Sequence, residues 1–179
     1  MGIATGLKGD GGPPLAIRRG RPGDAAIIAE FNQRMAWETE HKPLDPATLA
    51  RGVGRVFGDP AKGFYLVAEA GGEVVGQLMV TFEWSDWRDG WFWWVQSVYV
   101  RNDCRRQGVF RALFAEVLRL GREAGNVVGV RLYVEKANAR AQATYQQLGM
   151  SDVGYLVEEI LLGPSELSTS AVGSPKSGC

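Results

Sequence analysis

The stretch Val98-Tyr99-Val100-Arg101-Asn102-Asp103-Cys104-Arg105-Arg106-Gln107-Gly108-Val109-Phe110 joins two apolar segments through a basic turn containing glycine. Upstream, Trp91 to Val100 reads as a long strand. Downstream, Val109, Phe110, Leu113, Phe114, Val117 and Leu118 form one apolar stripe at helical spacing, predicting a helix from about Gly108 to Ala124. A strand that turns directly into a helix presents the helix's first backbone N–H groups, with the helix dipole behind them, to whatever occupies the turn. Arg101, Arg105, Arg106 and Arg111 add positive charge in the same stretch, opposed only by Asp103. Gly108 has no side chain to keep a ligand away from the backbone. This chemistry suits a phosphate or diphosphate; the plainer alternative is a solvated, arginine-rich helix start. The turn lacks the Gly-Lys-Ser/Thr ending of a P-loop and the three-glycine dinucleotide fingerprint.

Working outward, the periodicities alternate between those of strand and helix. Leu15 to Arg19 reads as a short strand, and Asp24 offers an N-cap for a helix to about Trp37 with Ile27, Ile28, Phe31 and Met35 on one side. Asp45-Pro46 starts a second helix, to about Phe57. Phe64 to Glu69 is a strand, Ala70-Gly71-Gly72-Glu73 a hairpin turn, and Val74 to Trp84 its return. Strict alternation in that return puts Val74, Leu78, Val80, Phe82 and Trp84 on one face, with Gln77, Thr81 and Glu83 on the other. After the central strand and helix come an alternating strand, Val128 to Val134, and a helix from Ala139 to Leu148 capped by Asn138 and ended by Gly149. A hairpin over Asp152 to Leu162 is expected to close the unit. The order β-α-α-β-β-β-α-β-α-β-β implies a mixed sheet flanked by helices, an α/β (α+β mixed) fold.

Composition narrows the function. Across 179 residues, twenty Lys plus Arg balance twenty Asp plus Glu, so nothing draws the chain globally to a polyanion and a nucleic-acid partner is not expected. Two cysteines, Cys104 and Cys179, fall short of a disulfide framework or a four-ligand zinc site; no metal is expected, and a reducing, cytoplasmic setting is. The opening residues lack a basic region followed by a long apolar run, and the apolar stretch Trp91 to Val95 is too short for a bilayer, so neither a leader nor a membrane partner is expected. Residues 1–14 and 163–179, rich in Gly, Pro and Ser, read as flexible ends around one domain at 15–162.

Arg105-Arg106-Gln107-Gly108-Val109, following the strand ending at Val100, resembles the acetyl-CoA diphosphate loop of the GNAT superfamily of N-acetyltransferases, Gln/Arg-x-x-Gly-x-Gly/Ala. Arg105 and Gly108 match the first and fourth positions; Phe110 departs from the sixth. Asn138-Ala139-Arg140-Ala141-Gln142-Ala143-Thr144-Tyr145-Gln146-Gln147-Leu148-Gly149-Met150 is similar to the family's Asn-x-x-Ala-x-x-x-Tyr-x-x-x-Gly-Phe block, with Met150 for Phe. The resemblance implies a central mixed sheet splayed between its fourth and fifth strands, Trp91–Val100 and Val128–Val134, with the pantetheine arm entering the gap. It implies acetyl-CoA as cosubstrate and transfer of acetyl to a primary amine, on a small molecule or a protein, by direct attack in a ternary complex. The cofactor contacts it implies are Val98, Tyr99, Val100, Arg105, Arg106, Gln107, Gly108, Val109, Phe110, Arg111, Asn138 and Tyr145.

Within that reading the Val98 N–H polarises the thioester carbonyl and Tyr145 returns a proton to the departing thiolate. Tyr145 and Asn138 also suit plainer roles, a core tyrosine and a helix cap. The strand Trp91 to Ser97 has no acid, so Glu83, paired across the hairpin near Phe92, is the candidate general base. Glu38 and Glu40, beside His41, occupy the link that covers the acceptor pocket in the family. Glu83-Trp84-Ser85-Asp86-Trp87 combines acids with indoles in a turn, which suits a cationic or aromatic amine held by charge and by Trp84 and Trp87. The same tryptophans equally suit the surface of a homodimer. The rival function is an acyl-CoA-binding sensor without catalysis.

Overall fold

A computed structural model describes residues 14–160. The ends expected to be flexible lie outside those residues, apart from Pro14. The elements are β1 (Leu15–Arg19), α1 (Ala25–Glu40), α2 (Pro46–Gly58), β2 (Phe64–Ala70), β3 (Glu73–Ser85), β4 (Gly90–Val100), α3 (Val109–Ala124), β5 (Val127–Leu132) and α4 (Ala139–Gln147). Three single-turn 3-10 helices, at Pro22–Asp24, Pro60–Lys62 and Asn102–Cys104, join them. The five strands form one sheet in chain order, antiparallel except for the parallel β4–β5 pair. No described helix is long and apolar enough to cross a membrane.

Each face of the sheet has its own core. The apolar stripe of α3 (Val109, Leu113, Phe114, Val117) covers one face against Leu66, Leu78, Val80, Trp93 and Val95. Helices α1 and α2 cover the other, packing Ile28, Val53 and Val56 on Tyr65 and Val67. Full burial of one such side chain stabilises by about 1.5–3 kcal/mol, so these two layers hold the sheet rigid beneath whatever is mounted on it.

Three expectations are corrected. Val74 does not share a face with Leu78: a bulge opposite Ala68 and Glu69 leaves Val75 unpaired, turning Val75 into the α3 core and Val74 toward α2. Asp24 precedes α1 without capping it, because its carboxylate accepts instead from Arg18 Nη1 at 2.7 Å and Arg21 N at 2.7 Å. The closing hairpin is absent from 152–160, and its last two residues lie outside the described region. Asp152 Oδ1 accepts from Gly154 N at 2.8 Å with Gly154 at φ +75°, a local turn where the first strand should run. Tyr155, Leu156, Val157 and Ile160 find no face to pack on and are 70–83% exposed. Elsewhere boundaries move by a few residues: α1 extends to Glu40, and β5 covers Val127–Leu132 rather than 128–134.

Candidate active site

The site begins where two strands part. β5 pairs with β4 only from Trp91↔Val127 to Val95↔Leu132, while β4 continues to Val100. On its other side β4 registers Gln96 with Met79 and Tyr99 with Gln77, so Ser97 and Val98 stand opposite a single residue of β3. Ser97 adopts φ +50°, a left-handed conformation within a strand, which costs about 1–3 kcal/mol for a residue with a side chain. This bulge bends β4 away just where β5 ends, and the expected splay follows from it.

The gap opens into a cavity of about 420 Å³ whose floor is Val98 and Val100. One wall is the turn from Cys104 to Arg106 and the start of α3 from Gly108 to Arg111; the other is α4, through Arg140, Ala141, Thr144, Tyr145 and Leu148. Arg106 at φ +66° and Gly108 at φ +80° curl the backbone of this turn beside the cavity. Among the described residues no side chain caps α3, a helix of 16 residues, so its N-terminal donors have no side-chain partner there.

Charge at the cavity is positive. Arg106, Arg111 and Arg140 line it and make no ion pair among the described residues. Arg101 is committed elsewhere, to Glu73 and Asp103 at 2.8 and 2.7 Å. Arg105 is pinned as well: Nε donates to Val100 O at 2.8 Å and Nη2 to Glu38 Oε2 at 2.6 Å. Burial alone would raise the Glu38 carboxyl, but hydrogen bonds from Arg105 and Tyr99 outweigh it and hold the group below its usual range.

Of the residues anticipated as cofactor contacts, Val98, Val100, Arg105, Arg106, Gly108, Val109, Phe110, Arg111 and Tyr145 come together around this cavity. Tyr99 does not, because strand alternation turns it to the opposite face, where it packs on Phe31 with ring centroids 4.9 Å apart and donates to Glu38 at 3.0 Å. The Gln107 side chain donates to Asp103 O at 2.9 Å. Asn138 Oδ1 accepts from Ala141 N at 3.0 Å, a helix cap. Phe110 meets Tyr145 edge-on at 5.7 Å, and burial pushes the Tyr145 hydroxyl up, keeping it protonated.

Arg140, Ala141, Thr144 and Leu148 line the cavity as well without being anticipated there; Ala141 and Leu148, four and three residues from Tyr145, share its helical face, whereas Arg140 and Thr144 do not. Ser97 carries no signal in the sequence at all.

None of the anticipated acceptor-side groups lines the cavity, although Glu38 bonds Arg105, which does. Glu83 stands opposite Phe92, six residues along β4 from Val98 and roughly 20 Å away at about 3.3 Å per residue. Its Oε1 accepts from Arg131 at 2.8 Å and its Oε2 from the Trp94 indole. Trp84 packs edge-on against Trp91 at 5.0 Å, and Trp87 in the β3–β4 turn is 88% exposed. Glu40 is exposed at the end of α1.

Residues 26–150 match the model of the acetyltransferase (GNAT) family. The chain is similar to a possible acetyltransferase from Clostridium difficile 630, at 44% identity over 83% of this chain and 97% of that one, with a TM-score of 0.78. It shares its fold with a predicted acetyltransferase from Clostridium acetobutylicum solved with acetyl-CoA, at 14% identity over 82% of this chain and 96% of that one, TM-score 0.69. It shares it also with a ribosomal-protein-alanine N-acetyltransferase from Brucella melitensis biovar Abortus 2308, at 19% identity over 83% and 99%, TM-score 0.66. No curated protein matches. With a bulged strand parting from its parallel neighbour, an open helix terminus beside the gap and a family model spanning most of the described residues, the chain belongs to the GNAT acetyltransferase family.

Proposed function

We propose that the protein is an acetyl-CoA-dependent N-acetyltransferase acting on a primary amine. The observation that carries this reading is the gap beyond Val95 and Leu132 opening onto the uncapped start of α3. A diphosphate suits the N–H groups between Arg106 and Val109 and the guanidinium groups of Arg106 and Arg111. An extended pantetheine arm suits the floor of Val98 and Val100, where β4 has backbone groups that β5 does not pair.

The reaction proceeds by direct attack. The neutral amine nitrogen bonds to the thioester carbon, charge builds on the carbonyl oxygen, the carbon–sulfur bond breaks, the nitrogen gives up one proton to solvent water, and the thiolate takes up a proton. The Val98 N–H, in neither ladder, is the donor for the oxygen. Tyr145, kept protonated by burial, is the acid for the sulfur. Glu83, bonded to Arg131 and Trp94, does not line the cavity and is given no part in this scheme.

Among the described residues no carboxylate lines the cavity, and this favours a second reading, an acyl-CoA sensor that binds without turnover. Thiol release from acetyl-CoA against a panel of small-molecule and peptide amines separates the two. Amine-dependent release supports the enzyme. Binding without release supports the sensor, and neither binding nor release rejects both.

A further inference from the structure

Gln77 is fully buried in β3, yet its Oε1 has no hydrogen-bond partner among the described residues. Its Nε2 donates to Asn32 Oδ1 of α1 at 2.7 Å, and Asn32 is itself 6% exposed. Nε2 also lies 3.4 Å from Ser97 O, the carbonyl at the bulge. A buried amide with an orphaned oxygen costs stability relative to an apolar side chain of the same shape, so packing gives no reason for it.

The peptide unit supplies one. Ser97 C=O and Val98 N–H belong to the same planar, trans peptide and point in opposite directions. A donor that holds the Ser97 oxygen therefore fixes where the Val98 hydrogen points. It also draws charge from that peptide and strengthens the N–H as a donor. Ser97 is in a left-handed conformation and has no ladder partner, so this peptide would otherwise be free to rotate.

We infer that Gln77, anchored by Asn32, is a positioning residue that aims the Val98 N–H into the cleft. The inference rests on the proposed role of that N–H toward the thioester oxygen. Gln77 touches no substrate; it acts through the bulge. Its amide spans from the α1 layer to β4, tying the helix that covers one face of the sheet to the strand that opens on the other.

Gln77→Met keeps the length and apolar shape of the side chain and removes the donor. In folded protein, kcat is expected to fall about ten-fold, with KM for acetyl-CoA within about three-fold, because the diphosphate contacts are elsewhere. Asn32→Leu is expected to give the same pattern with a smaller loss. The Val98 amide resonance of the unliganded protein is expected to shift in both variants. A kcat within two-fold of wild type in folded Gln77→Met, or an unmoved Val98 resonance, overturns the inference. If that variant does not fold, scalar coupling across the hydrogen bond from the Gln77 amide to the Ser97 carbonyl in wild type decides it: coupling supports the bond and its absence refutes it. If wild type transfers no acetyl group, the functional reading fails, and the resonance still judges whether Gln77 orients the peptide.

Discussion

The two halves of β4 differ in what they are paired with. From Trp91 to Val95 the strand is paired on both sides, and the Trp93 ring lies 5.4 and 6.0 Å from those of Phe64 and Phe82. From Ser97 to Val100 it has no partner on the β5 side, passes through a left-handed residue and faces a cavity. The first half is paired and packed; the second leaves backbone groups unpaired beside the cavity. One strand can do both because the packed half fixes the position of the parted half.

This contrast breaks most readily at Trp93. Trp93→Ala removes a nearly buried indole and is expected to cost about 3–5 kcal/mol, read as a large fall in denaturation midpoint. Affinity for CoA, measured well below that midpoint, is expected to stay within about three-fold, since Trp93 faces the α3 core and does not line the cavity.

The reverse pattern is expected at Tyr145. Tyr145→Phe should lower kcat by about 10²-fold with little change in stability or in KM for acetyl-CoA. Equal turnover in the two proteins removes Tyr145 from the mechanism.

Arg106→Ala and Arg111→Ala are each expected to weaken CoA binding about ten-fold and to flatten its salt dependence. Titrations at two ionic strengths check this, and an unaltered salt slope would detach these guanidinium groups from the diphosphate.

The smallest effect belongs to the Glu38–Arg105 pair, which links α1 to the basic turn. The Glu38 carboxyl lies below its usual 4.5, so its stabilisation is complete above that pH and is lost as pH falls through the lowered value. With both side chains a third or more exposed, Glu38→Gln should cost no more than about 1 kcal/mol at pH 7 and less under acid conditions. A cost that grows as pH falls contradicts this.

Much of this was legible because local chemistry and tertiary role coincide. The α3 stripe, the helix start at Asp45-Pro46 and the Gly71-Gly72 hairpin each read the same in isolation and in the fold. The basic turn ahead of α3 was legible for the same reason: a glycine-containing turn at a helix start is a local object. What stayed hidden was non-local. The bulge at Ser97 depends on how β3 and β5 end, and the burial of Gln77 on how α1 crosses the sheet, so neither leaves a mark in the spacing. Val74 was misplaced because one unpaired residue reverses every later side chain of a strand. Glu83 was placed correctly opposite Phe92, but its capture by Arg131, 48 residues away, could not be read from the hairpin.

Calorimetric titration of the full chain with CoA tests most directly whether the gap between β4 and β5 and the start of α3 form one binding site. The account expects single-site heat with a Kd between about 1 µM and 1 mM, and ATP, which lacks the pantetheine arm, binding at least about ten-fold more weakly. No heat at millimolar CoA, or equal affinity for ATP, would contradict it.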